Sequence, residues 1–138
     1  MSTSGAFSDY FEDSIAQWIK GTTFPAAPSN LYVGLFTVSP SDSGGGTELT
    51  IGQYGYARAT VASSAWDETT PTTLVANHND ITFSVNTGTD WGTIVAVGIF
   101  DAASGGNLIW WSAATTQKTI QVNDQYVIKS GALTLTLD

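Results

Sequence analysis

The 138-residue chain contains no cysteine, which excludes disulfides and thiolate-bound metals as sources of stability. That absence leaves the redox compartment open, because a cysteine-free fold works in either setting. Charge is also scarce: 12% of residues are Asp, Glu, Lys or Arg, about half the usual share. Positive charge is scarcest. Four bases against twelve acids leave a net charge of −8, a field that repels phosphate backbones and argues against nucleic-acid binding. Lys20, Arg58, Lys118 and Lys129 are scattered and form no basic stripe. No run of about 18 apolar residues exists, so no membrane-spanning helix is expected. The first residues lack a basic region followed by an apolar run, so no secretory leader is expected either.

Catalytic groups are equally sparse. His78 is the only histidine, any Ser-His-Asp triad would depend on it, and no Gly-x-Ser-x-Gly elbow exists. An exposed loop histidine is the simpler reading. Glycoside hydrolysis needs two carboxylates facing across a cleft, whereas Glu12-Asp13 and Asp67-Glu68 are merely adjacent in sequence. Asp42, Glu48, Asp80, Asp90, Asp101 and Asp124 sit at turn positions, where Asp commonly bonds its own backbone. Asn77, Asn79 and Asp80 offer the hard oxygen ligands that suit calcium, but the EF-hand pattern is missing. Gly44, Gly45 and Gly46 lack the GxxxxGK[ST] pattern of a phosphate loop and read as a flexible connection. The expectation is a non-enzyme with no catalytic residue, no metal ligand and no cofactor.

What the chain does have is strand-forming sequence. Residues 91–111, WGTIVAVGIFDAASGGNLIWW, place two apolar runs around a polar, glycine-rich break at 101–107. Val, Ile, Phe and Trp suit a pleated, buried surface, and Asp, Ser, Gly and Asn supply a reversal, so this segment predicts a buried β-hairpin. Shorter strands are expected at 31–37, 54–63, 81–85, 119–122, 126–128 and 133–138, with irregular chain at 66–76 and a long loop at 39–52. The first of these is apolar on both faces, which predicts a central or contact position. One helix is expected over 8–20, with Phe11, Ile15, Trp18 and Ile19 on one face and Asp9 with Glu12 imitating a capping box. Its stripe is expected to pack on the β-domain, with an interface to another subunit as the alternative. Pro25 and Pro28 enforce an extended connection. The fold class is therefore all-β: an antiparallel β-sandwich or jelly-roll-like single domain with one short N-terminal helix. Residues 1–29 form an arm and helix, and 30–138 form the sandwich domain.

Five tryptophans raise the possibility of sugar stacking. Trp110 and Trp111 are adjacent on a strand and must face opposite ways, so one of them points out of any one-sided core.

Several ordered segments carry a family resemblance. They are SDYFEDSIAQWIKGTTFPAAPSNLYVGLFTVSPSD, GGGTEL with GYAR after it, ITFSV, DWGTIVAVGIFDAASGGNLIWW and the terminal GALTLTLD. Together they resemble small tailed-bacteriophage virion structural proteins, a family that includes capsid cement or decoration proteins and proteins called tail fibre proteins. The resemblance covers almost the whole chain, is most specific in the WGT…GIFDA-x-SGGNL segment, and is weakest over residues 65–79. It implies a structural role on the virion, with synthesis in the host bacterial cytoplasm. Shortness, a compact β-domain and a Thr/Ser-rich surface favour cement on the phage head, bound to the major capsid protein as a homo-oligomer, with a trimer expected. A tail fibre or tail-tip protein that attaches to host glycans is the alternative. Candidate capsid or subunit contacts are Tyr10, Phe11 and Trp18 in the N-terminal segment, Gly44, Gly45 and Gly46 in the loop, and the aromatics Tyr32, Phe36, Trp110 and Trp111.

Overall fold

The computed structural model describes residues 5–69 and 74–136 of the chain. These residues form one helix of full α type and eleven strands. In order they are β1 (Gly5–Phe7), α1 (Asp9–Ile19), β2 (Asn30–Val38), β3 (Thr47–Glu48), β4 (Ala59–Ala62), β5 (Trp66–Thr69) and β6 (Leu74–Asn77). Then follow β7 (Ile81–Thr82), β8 (Gly92–Phe100), β9 (Leu108–Ile120), β10 (Val127–Ile128) and β11 (Thr134–Thr136). Every strand pairing is antiparallel. The fold is all-β and forms a single domain.

The expected hairpin is its centre. β8 pairs with β9 from Gly92–Ile120 to Phe100–Leu108, and β2 lies on the other side of β8. The large sheet runs β1-β9-β8-β2-β3, with β4 also on β2, so β2 is central as its two apolar faces predict. β9 carries the extra residues 114–117 opposite Val95, a bulge that lets it outrun its partner.

Strand alternation sorts the side chains onto two faces. Val33, Leu35, Ile94, Val97, Ile99 and Trp110 face the main core, where they meet Ile81 and Ile128 of the small sheet β10-β7, and Phe83, Tyr126 and Leu133 from the chain flanking β7, β10 and β11. This is a sandwich whose second layer is divided into two short sheets. Phe36, Ala96 and Phe100 point the other way and form a smaller cluster with Tyr32, Val95 and Leu108. Gly98 makes that outer cluster possible: a Cβ there would lie 2.8 Å from both Phe36 and Leu108. Two buried asparagines tie the layers. The Asn77 amide donates to the carbonyls of Asn79 and Lys129 and accepts from Leu133 N–H, and Asn86 spans Thr89, Ile120 and Gly88 in the same way.

The N-terminal region departs from the sequence reading in three ways. Residues 5–7 form an edge strand instead of a loose lead-in, pairing Gly5, Ala6 and Phe7 with Ser112, Trp111 and Trp110. The helix cap is Ser8, whose hydroxyl accepts the Phe11 N–H at 3.3 Å and donates to the Leu108 carbonyl. Asp9 lies inside the first turn, so the imitation capping box is not the one used. The apolar stripe of α1 packs only at its beginning. Phe11 stacks on Phe7 at 4.9 Å and meets Phe24 edge-on at 5.6 Å, while Trp18 and Ile19 remain 61% and 73% exposed.

Other corrections concern short strands. The expected 39–52 loop contains β3, and the bridge Ser41–Gly44 closes a tight turn inside it. The 54–63 strand shrinks to β4, because Tyr54 and Gly55 take positive φ. The 66–76 segment is not irregular where described: β5 pairs with β6 from Trp66–Asn77 to Thr69–Leu74. Trp66, Thr69, Leu74 and Val75 supply the strand-forming side chains of this pair. The 81–85 strand is only Ile81–Thr82, and Val85 is exposed. Residues 1–4, 70–73 and the last two of the expected terminal strand lie outside the described residues.

Candidate functional site

The turn of the central hairpin is held from outside by Arg58. Asp101 first closes the turn on itself: its carboxylate accepts the Asn107 backbone N–H at 2.7 Å and side-chain amide at 2.8 Å. Gly106 adopts φ 71° beside it, in space where a Cβ would lie 2.5 Å from the Asp101 carboxylate. Arg58 then donates through Nη1 to the carbonyls of Ala102 and Gly105, at 2.7 and 2.8 Å. Its Nε and Nη2 grip Glu48 on both carboxylate oxygens at 2.8 and 2.7 Å. The guanidinium also lies 3.5 Å above the Phe100 ring centroid. By sequence alone Arg58 is one scattered base and Glu48 a turn acid. Their spacing of ten residues across a loop gave no helical or strand signal that they would pair.

Tyr56 completes this cluster. Its hydroxyl accepts the Leu35 N–H at 2.9 Å and donates to Glu48 at 2.9 Å. The ring stands edge-on to Trp91 at 5.6 Å. Burial, reinforced by the neighbouring Glu48 carboxylate, pushes the Tyr56 phenol far above its ordinary range. Burial also raises Tyr126. The ionised phenols belong to the unfolded chain, so this contribution is fully present below the ordinary phenol value of 10.0 and is lost as pH rises beyond it. Unfolding free energy is therefore expected to fall between about pH 10 and 11, with a shallower fall in Tyr126→Phe. Urea titrations across that range check this, and a flat profile in the wild type would contradict it.

Arg58 has little left to offer a ligand, since four of its five N–H groups are already committed within the chain. The cluster is a clamp. It seats the hairpin turn over the outer Phe36–Phe100 pair, whose rings stack at 6.1 Å. Gly44, Gly45 and Gly46 border a shallow cleft of about 370 Å³ with Phe36, Phe100 and Gly106.

The remaining candidates divide sharply. Trp110 and Phe36 are 4% and 3% exposed and belong to the chain's own packing, so neither presents a surface to another subunit. Trp111 points to the opposite face, as the strand geometry requires. It is half-buried, and its indole N–H donates to Asp42 at 3.1 Å. The Asp42 carbonyl also accepts Asp9 N–H at 2.7 Å, so the 41–44 turn, the start of α1 and Trp111 converge on one side. Tyr32 flanks the outer cluster. Tyr10 and Phe11 line an apolar groove of about 450 Å³ between α1 and the 24–28 connection. Of the five tryptophans, only Trp18 is exposed.

His78 pairs through Nδ1 with the Asp67 carboxylate at 2.9 Å, with both side chains about three-fifths exposed. An exposed pair of this kind is a weak surface contact. Two of the three candidate calcium ligands are used otherwise. Asn77 staples the layers, and Asp80 accepts the Ser130 N–H at 2.8 Å and pairs with Lys129 at 3.2 Å. The Ser130 bond and then Lys129 hold the Asp80 carboxyl below its ordinary value. Among the described residues, no group of three or more His, Cys, Asp or Glu is arranged to hold a metal ion.

None of the curated proteins matches the chain. A family model described as podophage GP4 fiber I protein gp80 does match, over residues 6–136 and thus nearly end to end. The chain belongs to this family and is a bacteriophage virion structural protein.

Proposed function

We propose that the chain is a non-enzymatic structural domain of a podophage tail fibre. The observation that carries this reading is the fibre description of the family matched over residues 6–136. The geometry supports a building block: its buried aromatic residues and its one arginine are spent on fixing the fold. The exposed apolar side chains of α1 provide a surface through which copies join one another or neighbouring virion proteins. A cyclic homo-oligomer is the simplest arrangement for such a block, with a trimer expected.

Capsid cement is the second reading. It is favoured by the single compact β-domain, by the N-terminal segment at its edge, and by the scarcity of charge on a shell-facing protein. In that role the chain binds the major capsid protein and stabilises the assembled head by linkage. Cryo-electron microscopy of the parent particle, with gold-labelled antibody against the chain, separates the two. Density and label confined to the tail are expected. A lattice of copies over the head would overturn the fibre reading in favour of cement.

A further inference from the structure

We infer that Trp18 and Ile19 of one copy occupy the apolar groove of a second copy of this chain. The plug is visible in α1. Phe11, Ile15, Trp18 and Ile19 share a helix face, yet only Phe11 is docked, and Ile15, Trp18 and Ile19 are 37%, 61% and 73% exposed. An exposed tryptophan beside two exposed isoleucines is an apolar projection that water solvates poorly.

The socket is visible too. Phe7, Phe24, Leu31, Ile109 and Leu135 line a groove of about 450 Å³, walled by the 25–28 stretch with its two prolines. That volume accommodates an indole with an aliphatic neighbour. The walls are contributed by a strand edge, a helix start and a proline-braced connection, so the groove stands open without rearrangement.

A chain cannot fill its own socket. The groove sits against Tyr10 and Phe11, while Trp18 is two helical turns further along the same helix, about 12 Å away at 1.5 Å per residue. Charge then identifies the occupant. Lys20 directly follows the plug and makes no ion pair among the described residues. Among the described residues, Asp101 is the only charged one lining the groove. In a chain with four bases and a net charge of −8, copies repel one another at long range, so a cation beside the plug and a carboxylate beside the socket are matched where contact must occur. Each copy carries both halves. The contact is therefore either reciprocated in a pair or passed on around a ring.

Sedimentation velocity of the full chain over a concentration series tests this. The wild type is expected to self-associate, and Trp18→Ala (plug removed) and Ala27→Arg (bulk and a cation placed in the socket against Lys20) each to weaken association by about tenfold or more. Both positions are exposed, and circular dichroism with thermal melting verifies that the variants fold. Mixing the two variants is decisive, because one keeps an intact socket and the other an intact plug. A complex in the mixture, absent from either variant alone, is expected. A wild type that stays monomeric, a Trp18→Ala variant that associates like wild type, or an inert mixture of folded variants would overturn the inference. Should Ala27→Arg fail to fold, Ala26→Arg serves as the socket variant.

Discussion

Replacing Arg58 with methionine is expected to lower the unfolding free energy by about 3–5 kcal/mol, the range for breaking a buried ion pair from one side. At 138 residues that is a drop in melting temperature of roughly 10 °C or more. The loss has three sources. The Glu48 carboxylate stays behind with its side chain only 17% exposed and its bidentate partner gone. The carbonyls of Ala102 and Gly105 lose their donor. Phe100 loses the cation above its ring. Arg58→Lys is expected to rescue little, because one ammonium cannot span a carboxylate and two carbonyls at once. The double variant Arg58→Met/Glu48→Leu is expected to be more stable than Arg58→Met, since it removes the stranded charge. Urea denaturation measures all three. A loss below about 1 kcal/mol for Arg58→Met would show the pair to be no more than a surface contact.

A second large effect is expected from the paired tryptophans, and its asymmetry matters more than its size. Trp110→Ala opens a cavity in the main core, where the ring packs at 4% exposure, and is expected to cost about 3–5 kcal/mol. Trp111→Ala removes a half-buried ring and one hydrogen bond to Asp42, and is expected to cost no more than about 1–2 kcal/mol. Adjacent residues of one type thus differ in consequence because the pleat sends them to opposite faces. Equal losses measured by chemical denaturation would mean that the strand register is wrong.

The parts of this fold legible in the sequence are those written in local pattern. The hairpin at 91–111 carries its strand propensity and its turn chemistry within 21 consecutive residues, and β8, β9 and the Asp101–Asn107 closure follow from them. The central place of β2 follows from having apolar side chains on both faces. What stayed hidden depends on partners distant in sequence. The strand at Gly5–Phe7 exists because the edge of β9 is available, not because Gly-Ala-Phe favours extension. β5 and β6 stabilise each other in a segment that reads locally as irregular. The candidate contacts fared in the same way. Strand alternation correctly divided Trp110 from Trp111, but residue type alone could not tell that Phe36 is sealed while Trp18 is bare. Arg58 escaped notice because its worth lies in groups 10 and 44 or more residues away.

The pairing of the first strand with the ninth also sets a clock on biosynthesis. Gly5 meets Ser112, and the Ser8 amide bonds the Ile109 carbonyl, so the N-terminal strand and helix find their seats only after more than a hundred residues have left the ribosome. At about 5–20 residues per second, Phe7 and Phe11 wait several seconds for β9. During that interval the nascent chain offers an aromatic segment to chaperones and to other nascent chains. The last long strand to emerge is what withdraws the offer.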